Sequence, residues 1–413
     1  MALIHSSGYK PRIFPINGDV APAEIDRAQS IDPTVALNRE EVNEIGRQDS
    51  VGYNQTSPTV TYRLTQYEYG SIEFWQKLVN TSTKGNIGED EIALSDFKTP
   101  YFDLCGYLED DDGTFKGTVQ YPSLRTAGFS VSISDPQAII ERSFDFVGES
   151  AKVWQGTNKY FIYNRHEVGS GSDNEIDLSA KAPAENPNES GKYIERVVRV
   201  RSGVSSELTS GTDYSYSNST KILTITSVQS GDVIKTYYTS ATAPDVIFTE
   251  NDTDVPALLG DSVSIYLYVP GSGKPTSSDY IYRLQSVTVD VSFDREDIRE
   301  IGNKDVVARG VTNNTVTVTL GRILEELTIE EVLAGQSADF GLIDVEEFSD
   351  DITLIVKVFS DNTKNTFKYG FKATGLTPNE IRLGQTVQEY ATMDDTLEGE
   401  NLIISADTSK IGI

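Results

Sequence analysis

Residues 27–64 read RAQSIDPTVALNREEVNEIGRQDSVGYNQTSPTVTYRL, and residues 283–320 read RLQSVTVDVSFDREDIREIGNKDVVARGVTNNTVTVTL. They align without a gap at a constant offset of 256, and 16 of 38 positions are identical. Average residue usage gives about one match in 15–20 by chance, so the alignment reads as an internal repeat, the feature to settle before any other. Several further positions are conservative, among them Leu37/Phe293, Asn38/Asp294, Glu41/Asp297 and Val42/Ile298. In the second copy Val287, Val289, Val291 and Phe293 alternate with Thr288, Asp290 and Ser292, the period of a half-buried strand. Residues 59–64 and 315–320 alternate in the same way. The stretches between, 39–56 and 295–312, carry Glu-Ile-Gly followed by Asp. They read as the long ribbon of a hairpin, with Gly46 and Gly302 at its bend.

Working outward, a shorter echo places Gly128-Phe129, Pro136 and Ile139 on Gly370-Phe371, Pro378 and Ile381 at an offset of 242. Helical spacing is read over 72–79 and 323–334, where Ile323, Leu324, Leu327 and Leu333 would form an apolar stripe. Strands are expected over 101–108, 114–121, 128–133, 352–359 and 366–373. Between the copies, 196–200, 221–226 and 233–238 read as short strands bounded by Gly, Asp and Ser turns. The expected fold class is therefore mainly β: two repeated β-sandwich or barrel domains, 1–164 and 263–413, each with a flanking α-helix. A small inserted all-β domain would occupy 165–262.

Composition narrows the function. Thirty-five Lys and Arg against 63 Asp and Glu give the 413 residues a net charge of −28. So acidic a chain argues against gripping nucleic acid through its phosphates and against a polybasic membrane-surface protein. The single cysteine, Cys105, leaves no internal disulfide framework and no cysteine-built zinc site. The two histidines, His5 and His166, offer little for general acid–base or metal chemistry. No apolar run reaches a membrane span, the first residues carry no secretory pattern, and synthesis in a reducing cytoplasm is expected.

No residue pattern builds a catalytic site. Gly271 to Thr276 resembles the end of a phosphate-binding loop, but residue 268 is Tyr and Pro275 follows Lys274, so a turn is the better reading. Glu109 to Gly113 is dense in oxygen ligands without the spacing of a calcium loop, and a solvated hairpin turn fits better. Asp252 and Asp254 take the same reading. His166 stands without a triad or ligand set, and Cys105 reads as a small buried hydrophobe. No enzyme activity, cofactor or metal is expected. The charges and bends shared by both copies are the contact candidates: Arg39, Glu40, Glu44, Gly46 and Asp49, with Arg295, Glu296, Glu300, Gly302 and Asp305. Reversing Arg39 and Arg295 to Glu is expected to impair assembly more than folding.

The residues 37–54 (LNREEVNEIGRQDSVGYN) and 293–310 (FDREDIREIGNKDVVARG), in the order strand, long loop, strand, helix and further strands, resemble the tail tube (major tail) proteins of long-tailed bacteriophages. The resemblance covers most of 1–160 and 262–413. It implies a β-sandwich closing toward a barrel with one helix on its flank, six such domains in a ring, and rings stacked into a hollow tube for DNA. With the fold twice in one chain, it implies homotrimeric rings of pseudo-sixfold symmetry and an outward, Ig-like decorating domain at 165–262. It further implies a virion location after assembly in the host bacterial cytoplasm. The implied partners are copies of the same chain and the tape measure, tail terminator and tail tip or baseplate proteins, with DNA passing through unbound and no membrane. The competing readings are a β-rich surface adhesin or glycan-binding protein, supported by 21 Tyr, and, ranked last, a glycan depolymerase.

Overall fold

Alternating side chains become strands in both repeat segments, and every strand pair named below is antiparallel. The computed structural model describes residues 9–25, 27–42, 52–55, 58–156, 159–244, 256–270, 284–298, 308–323, 351–384 and 391–412. Among the described residues strand accounts for 58% and helix for 6%, so the fold is mainly β.

The N-terminal half supplies β1 (Tyr9–Pro15), β2 (Ala23–Glu24), β3 (Ala28–Ala36), β4 (Arg39–Val42), β5 (Gly52–Gln55) and β6 (Thr59–Tyr67). It continues with β7 (Ile92–Ala93), β8 (Phe102–Glu109), β9 (Phe115–Ile133), β10 (Glu141–Gly148) and β11 (Lys152–Gln155). A central unit follows: β12 (Tyr160–Glu167), β13 (Glu175–Asp177), β14 (Arg196–Arg201), β15 (Val204–Glu207), β16 (Tyr214–Ser217), β17 (Ile222–Ile225) and β18 (Val233–Ser240). The C-terminal half supplies β19 (Val263–Tyr268), β20 (Leu284–Ile298), β21 (Ala308–Ile323), β22 (Ile352–Phe359), β23 (Phe367–Gly384), β24 (Thr392–Gly399) and β25 (Asn401–Ser405).

Both repeat segments fold as the expected hairpin, and in one register. Ile31 faces Leu64 in β3–β6, and Val287 faces Leu320 in β20–β21, the same pair 256 residues on. Each hairpin skips one residue near its start, Gln29 in one and Gln285 in the other. The ribbons stay in step, with Arg39 opposite Gln55 and Arg295 opposite Val311.

The long strands β9 and β23 also correspond, at an offset of 252. Ala127 is skipped in β9–β10 and Asn379 in β23–β24. Ser123 and Gly375 both take a left-handed backbone, φ 57° and 66°, where each strand turns from one layer to the other. Glycine adopts that conformation without cost. Ser123 is braced instead, its N–H donating to the buried Asp103 carboxylate at 2.9 Å. The echo at an offset of 242 is thereby corrected. Sheet rows put Phe129 with Ile381, through Phe144 and Asp395, and leave Phe371 in the other layer. Bulges set the rows, and the repeated Gly-Phe letters do not.

Two layers enclose one core. The inner layer is an eight-stranded run, β3-β6-β10-β9-β20-β21-β24-β23, that crosses from one half to the other where β9 pairs β20. The outer layer contains β2-β1-β8-β9-β11 in one half and β19-β22-β23-β25-β7 in the other. Strand β7 belongs to the first half by sequence yet pairs β25 of the second, Ile92 opposite Ile404. The apolar core is continuous between halves, and Trp75 shows how: its ring meets Phe129, Phe144 and Phe371 at 4.8, 5.0 and 5.7 Å. Edge-on aromatic contacts at these spacings add to the area term.

Trp75 lies on α1 (Glu73–Leu78), shorter than the 72–79 expected. Its buried face is Phe74, Trp75 and Leu78, and Asn80 ends it in a left-handed turn at φ 54°. In the second half, Ile323 is the last residue of β21 rather than the start of a helix. The rest of the helix read over 323–334 lies outside the described residues.

The central unit forms a four-stranded sheet, β12-β18-β14-β15, and a three-stranded sheet, β13-β17-β16, with a separate apolar core. Its first strand starts at Tyr160, ahead of the 165 boundary, and pairs β18 along its length. It docks on the first half through a small cluster, Phe14, Ile16 and Cys105 against Phe161, Val198 and Tyr237. Arg196 binds the Asp103 carboxylate at 3.0 Å, so the group that braces the β9 bend also anchors this unit. Lys235, fully buried, donates to the carbonyls of Pro15 and Gly18 at 3.0 and 2.7 Å.

Candidate functional site

The inner sheet presents two unlike faces, and strand alternation makes them so. One face is core: Val60, Tyr62 and Leu64, then Phe144, Phe129, Val291, Val316 and Leu397, all nearly inaccessible. The other face is polar across all eight strands. A row near its middle reads Asp32, Arg63, Asp145, Gly128, Ser292, Thr315. A parallel row reads Glu141, Ser132, Thr288, Thr319, Thr396, Glu380.

Across this face the carboxylates include Asp32, Glu141, Asp145, Asp290, Asp294, Glu380, Asp394 and Glu398, and the cations include Arg63 and Arg382. Between them stand short Ser and Thr side chains. Arg63 and Asp145 lie 3.8 Å apart and half exposed, a spacing worth little in water. The face is therefore hydroxylated and net negative, and it repels a polyanion.

The charges shared by the two repeats divide. Arg39 is exposed on β4. Arg295 is half-buried on β20 and spent inside the chain, donating to the carbonyls of Thr126, Lys98 and Phe97 at 2.5, 3.2 and 2.8 Å. Burial, then the Arg125 and Arg309 charges, pull its pKa down to about 10. All three acceptors belong to the N-terminal half, so Arg295 ties the two halves together. Glu40 lies on β4 and Glu296, exposed, on β20. Glu44, Gly46, Asp49, Glu300, Gly302 and Asp305 lie outside the described residues, as do Gly271 to Thr276, Asp252 and Asp254.

The remaining candidates take ordinary places. Residues 110–113 form the turn between β8 and β9: Asp110 accepts from Thr114 N–H at 2.7 Å and pairs Lys116 at 2.7 Å. His166 Nε2 lies 3.2 Å from the Asp173 carboxylate. Cys105 is buried in β8, and burial pushes its thiol up. Among the described residues no three of His, Cys, Asp and Glu are grouped to hold a metal, and no helix is long and apolar enough to cross a membrane.

Sequence reasoning pointed to the ribbons for contacts and to the second sheet of each copy for a channel wall; it did not single out this face of the inner sheet. The signal was present in the alternation itself: Thr288, Asp290 and Ser292, like Thr59, Thr61 and Arg63, are the polar partners of the core residues that identified the strands. No protein-family model and no curated protein matches this chain.

Proposed function

We propose that the chain is a structural subunit of a hollow tube that conducts DNA, a bacteriophage tail tube protein in which the tube domain occurs twice. The observation that carries this reading is the eight-stranded sheet with one acidic, hydroxylated face and one core face. A conduit must not bind its cargo. Each neutralised phosphate would add salt-dependent affinity, and carboxylates spaced among Ser and Thr offer none. Matched register and bulges in the two halves support a duplicated domain, which makes three chains equivalent to six. Three copies of the eight-stranded sheet would close a ring with the polar face inward. The two-sheet central unit, read as an Ig-like decoration, would then lie outside. Partners would be further copies along the tube and the tape measure, terminator and tip proteins of a virion tail, with no enzyme activity.

The test is charge reversal on the face. Assembled wild-type protein should leave duplex DNA unbound in a filter assay at about 50 mM salt. Asp145→Lys/Asp290→Lys/Glu398→Lys should bind it with an affinity that falls steeply as salt rises. Tight DNA binding by the wild type would contradict the conduit.

A glycan-binding reading has one observation of its own. In the central unit Tyr193 and Tyr216 stand 5.5 Å apart at 45° beside Tyr214, lining an open cleft with Glu189 and Lys192. Specific hits on a glycan array that vanish in Tyr193→Ala/Tyr216→Ala would favour an adhesin.

A further inference from the structure

We propose that the free edge of β3 in one chain pairs with the C-terminal part of β23 in a second copy, antiparallel and in one defined register. This inference rests on the assembly reading above and specifies its joint. The seam inside the chain is the template. There β9 pairs β20, with Phe129 opposite Val291, Ser130 opposite Asp290 and Gly128 opposite Ser292.

Strand β20 corresponds to β3 at an offset of 256, and β9 to β23 at 252, as the shared bulges fix. Moving the seam by these offsets puts Val35 opposite Ile381, Thr34 opposite Arg382, and Ala36 opposite Glu380. Among the described residues both edges are open: β3 pairs only β6, and residues 380–384 of β23 pair only β24.

Burial says that something covers β3. Its counterparts in β20 are inaccessible: Val291 is 3% and Phe293 4% exposed. The matching Val35 and Leu37 are 42% and 55% exposed. The same residue types in the same register are thus covered in one half and bare in the other. The outer layer repeats the contrast independently. Val153 of β11 faces Val119, and Ile404 of β25 faces Phe371, which are matched positions. Ile404 is inaccessible under Ile92 of β7, whereas Val153 is 69% exposed.

Both bare sites therefore lie on the side of the first half that corresponds to the covered side of the second. A second copy is the occupant that brings the matching surface. Such a contact is head-to-tail, and it closes into a ring when the rotation per copy permits.

Two further residues fit the joint. Arg39 is the counterpart of Arg295, which crosses the internal seam to the Thr126 carbonyl. The transposed acceptor is the Pro378 carbonyl of the second copy. Arg382 would face Thr34 and lie diagonal to Asp32, an opposite-charge pair of the kind that steadies neighbouring strands. Pro33 stands where β20 has Val289 and gives no N–H to either neighbour, a residue suited to an edge strand. It discourages indiscriminate pairing along that edge.

Disulfide trapping tests the register, and the buried Cys105 does not compete. Thr34→Cys/Arg382→Cys, oxidised at assembling concentration, should give covalent oligomers on a non-reducing gel that collapse to single chains on reduction. Ser130→Cys/Asp290→Cys reports on the template and should close within one chain. Thr34→Cys/Glu380→Cys, slipped by two residues, should stay single. In the unmodified protein, amide exchange over residues 31–36 should slow on assembly.

Rings without the Thr34–Arg382 crosslink, while the internal control closes, would overturn this joint and leave the tube reading standing. Linked open chains that never close would uphold the joint and overturn the ring. Single chains at every concentration, with residues 31–36 exchanging freely, would overturn both.

Discussion

Arg39 and Arg295 are the same letter in the same repeat, and their surroundings give them different work. Arg295 holds three backbone carbonyls of the other half, and a carboxylate there would face those oxygens across a poorly solvated gap. Arg295→Glu should therefore lower folding stability by about 3–5 kcal/mol, the range for disrupting a buried charge, read by chemical denaturation. Arg39 is exposed in the single chain. Arg39→Glu should leave the denaturation midpoint within about 0.5 kcal/mol of wild type while reducing assembly in sedimentation. In the double reversal, expected to impair assembly more than folding, the loss of folding stability would come from Arg295. Equal effects of the two variants on the denaturation midpoint would contradict the assignment.

Elements differ in how far they could be read. The β3–β6 and β20–β21 hairpins were legible because alternation and repetition gave the same answer, and register followed once the two copies were aligned. The long strand β9 was legible only as two shorter ones, 114–121 and 128–133, and β23 only in its first part, 366–373. A bulge and a left-handed residue interrupt their alternation, and neither has a strong letter where serine fills the glycine position, as at Ser123. The short α1 was visible in Phe74, Trp75 and Leu78. That Trp75 joins the halves was not, because its partner Phe371 is almost 300 residues away.

The docking of the central unit was equally hidden, since it depends on Lys235 reaching carbonyls more than 200 residues earlier. Burial pushes the Lys235 pKa from 10.5 down to about 7. The folded value lies below the unfolded one, so the unfolded chain binds the extra proton between them. The contribution of this site to stability therefore rises with pH from about 7 toward 10.5. Lys235→Met should flatten that slope, seen by comparing Tm at pH 7 and pH 9 for variant and wild type. An unchanged slope would remove Lys235 from the docking account.

For the whole molecule, part of the −28 charge has a consistent location. Carboxylates outnumber guanidiniums on the polar face of the inner sheet, and the opposite face is packed core. The candidate face was half-legible: composition announced the acidity, while only the strand pairing shows which acids share a surface. The same pairing supplies the assembly logic. The two halves meet through β9 and β20, through β7 and β25, and through Arg295. The outer side of the first half repeats the receiving half of each contact with its apolar residues uncovered. A chain built so would propagate its own internal joint in the proposed assembly.

The most direct measurement is electron microscopy of the purified full chain at assembling concentration, reconstructed to the level at which strands separate. The account predicts closed rings of three chains, or stacks of them, around a hole. One sheet should run unbroken from β3 of each chain into β23 of the next, with Asp145, Asp290 and Glu398 facing the hole and residues 160–240 outside. Elongated single chains without a pore, or a ring whose hole is lined by the central unit instead of this face, would contradict it.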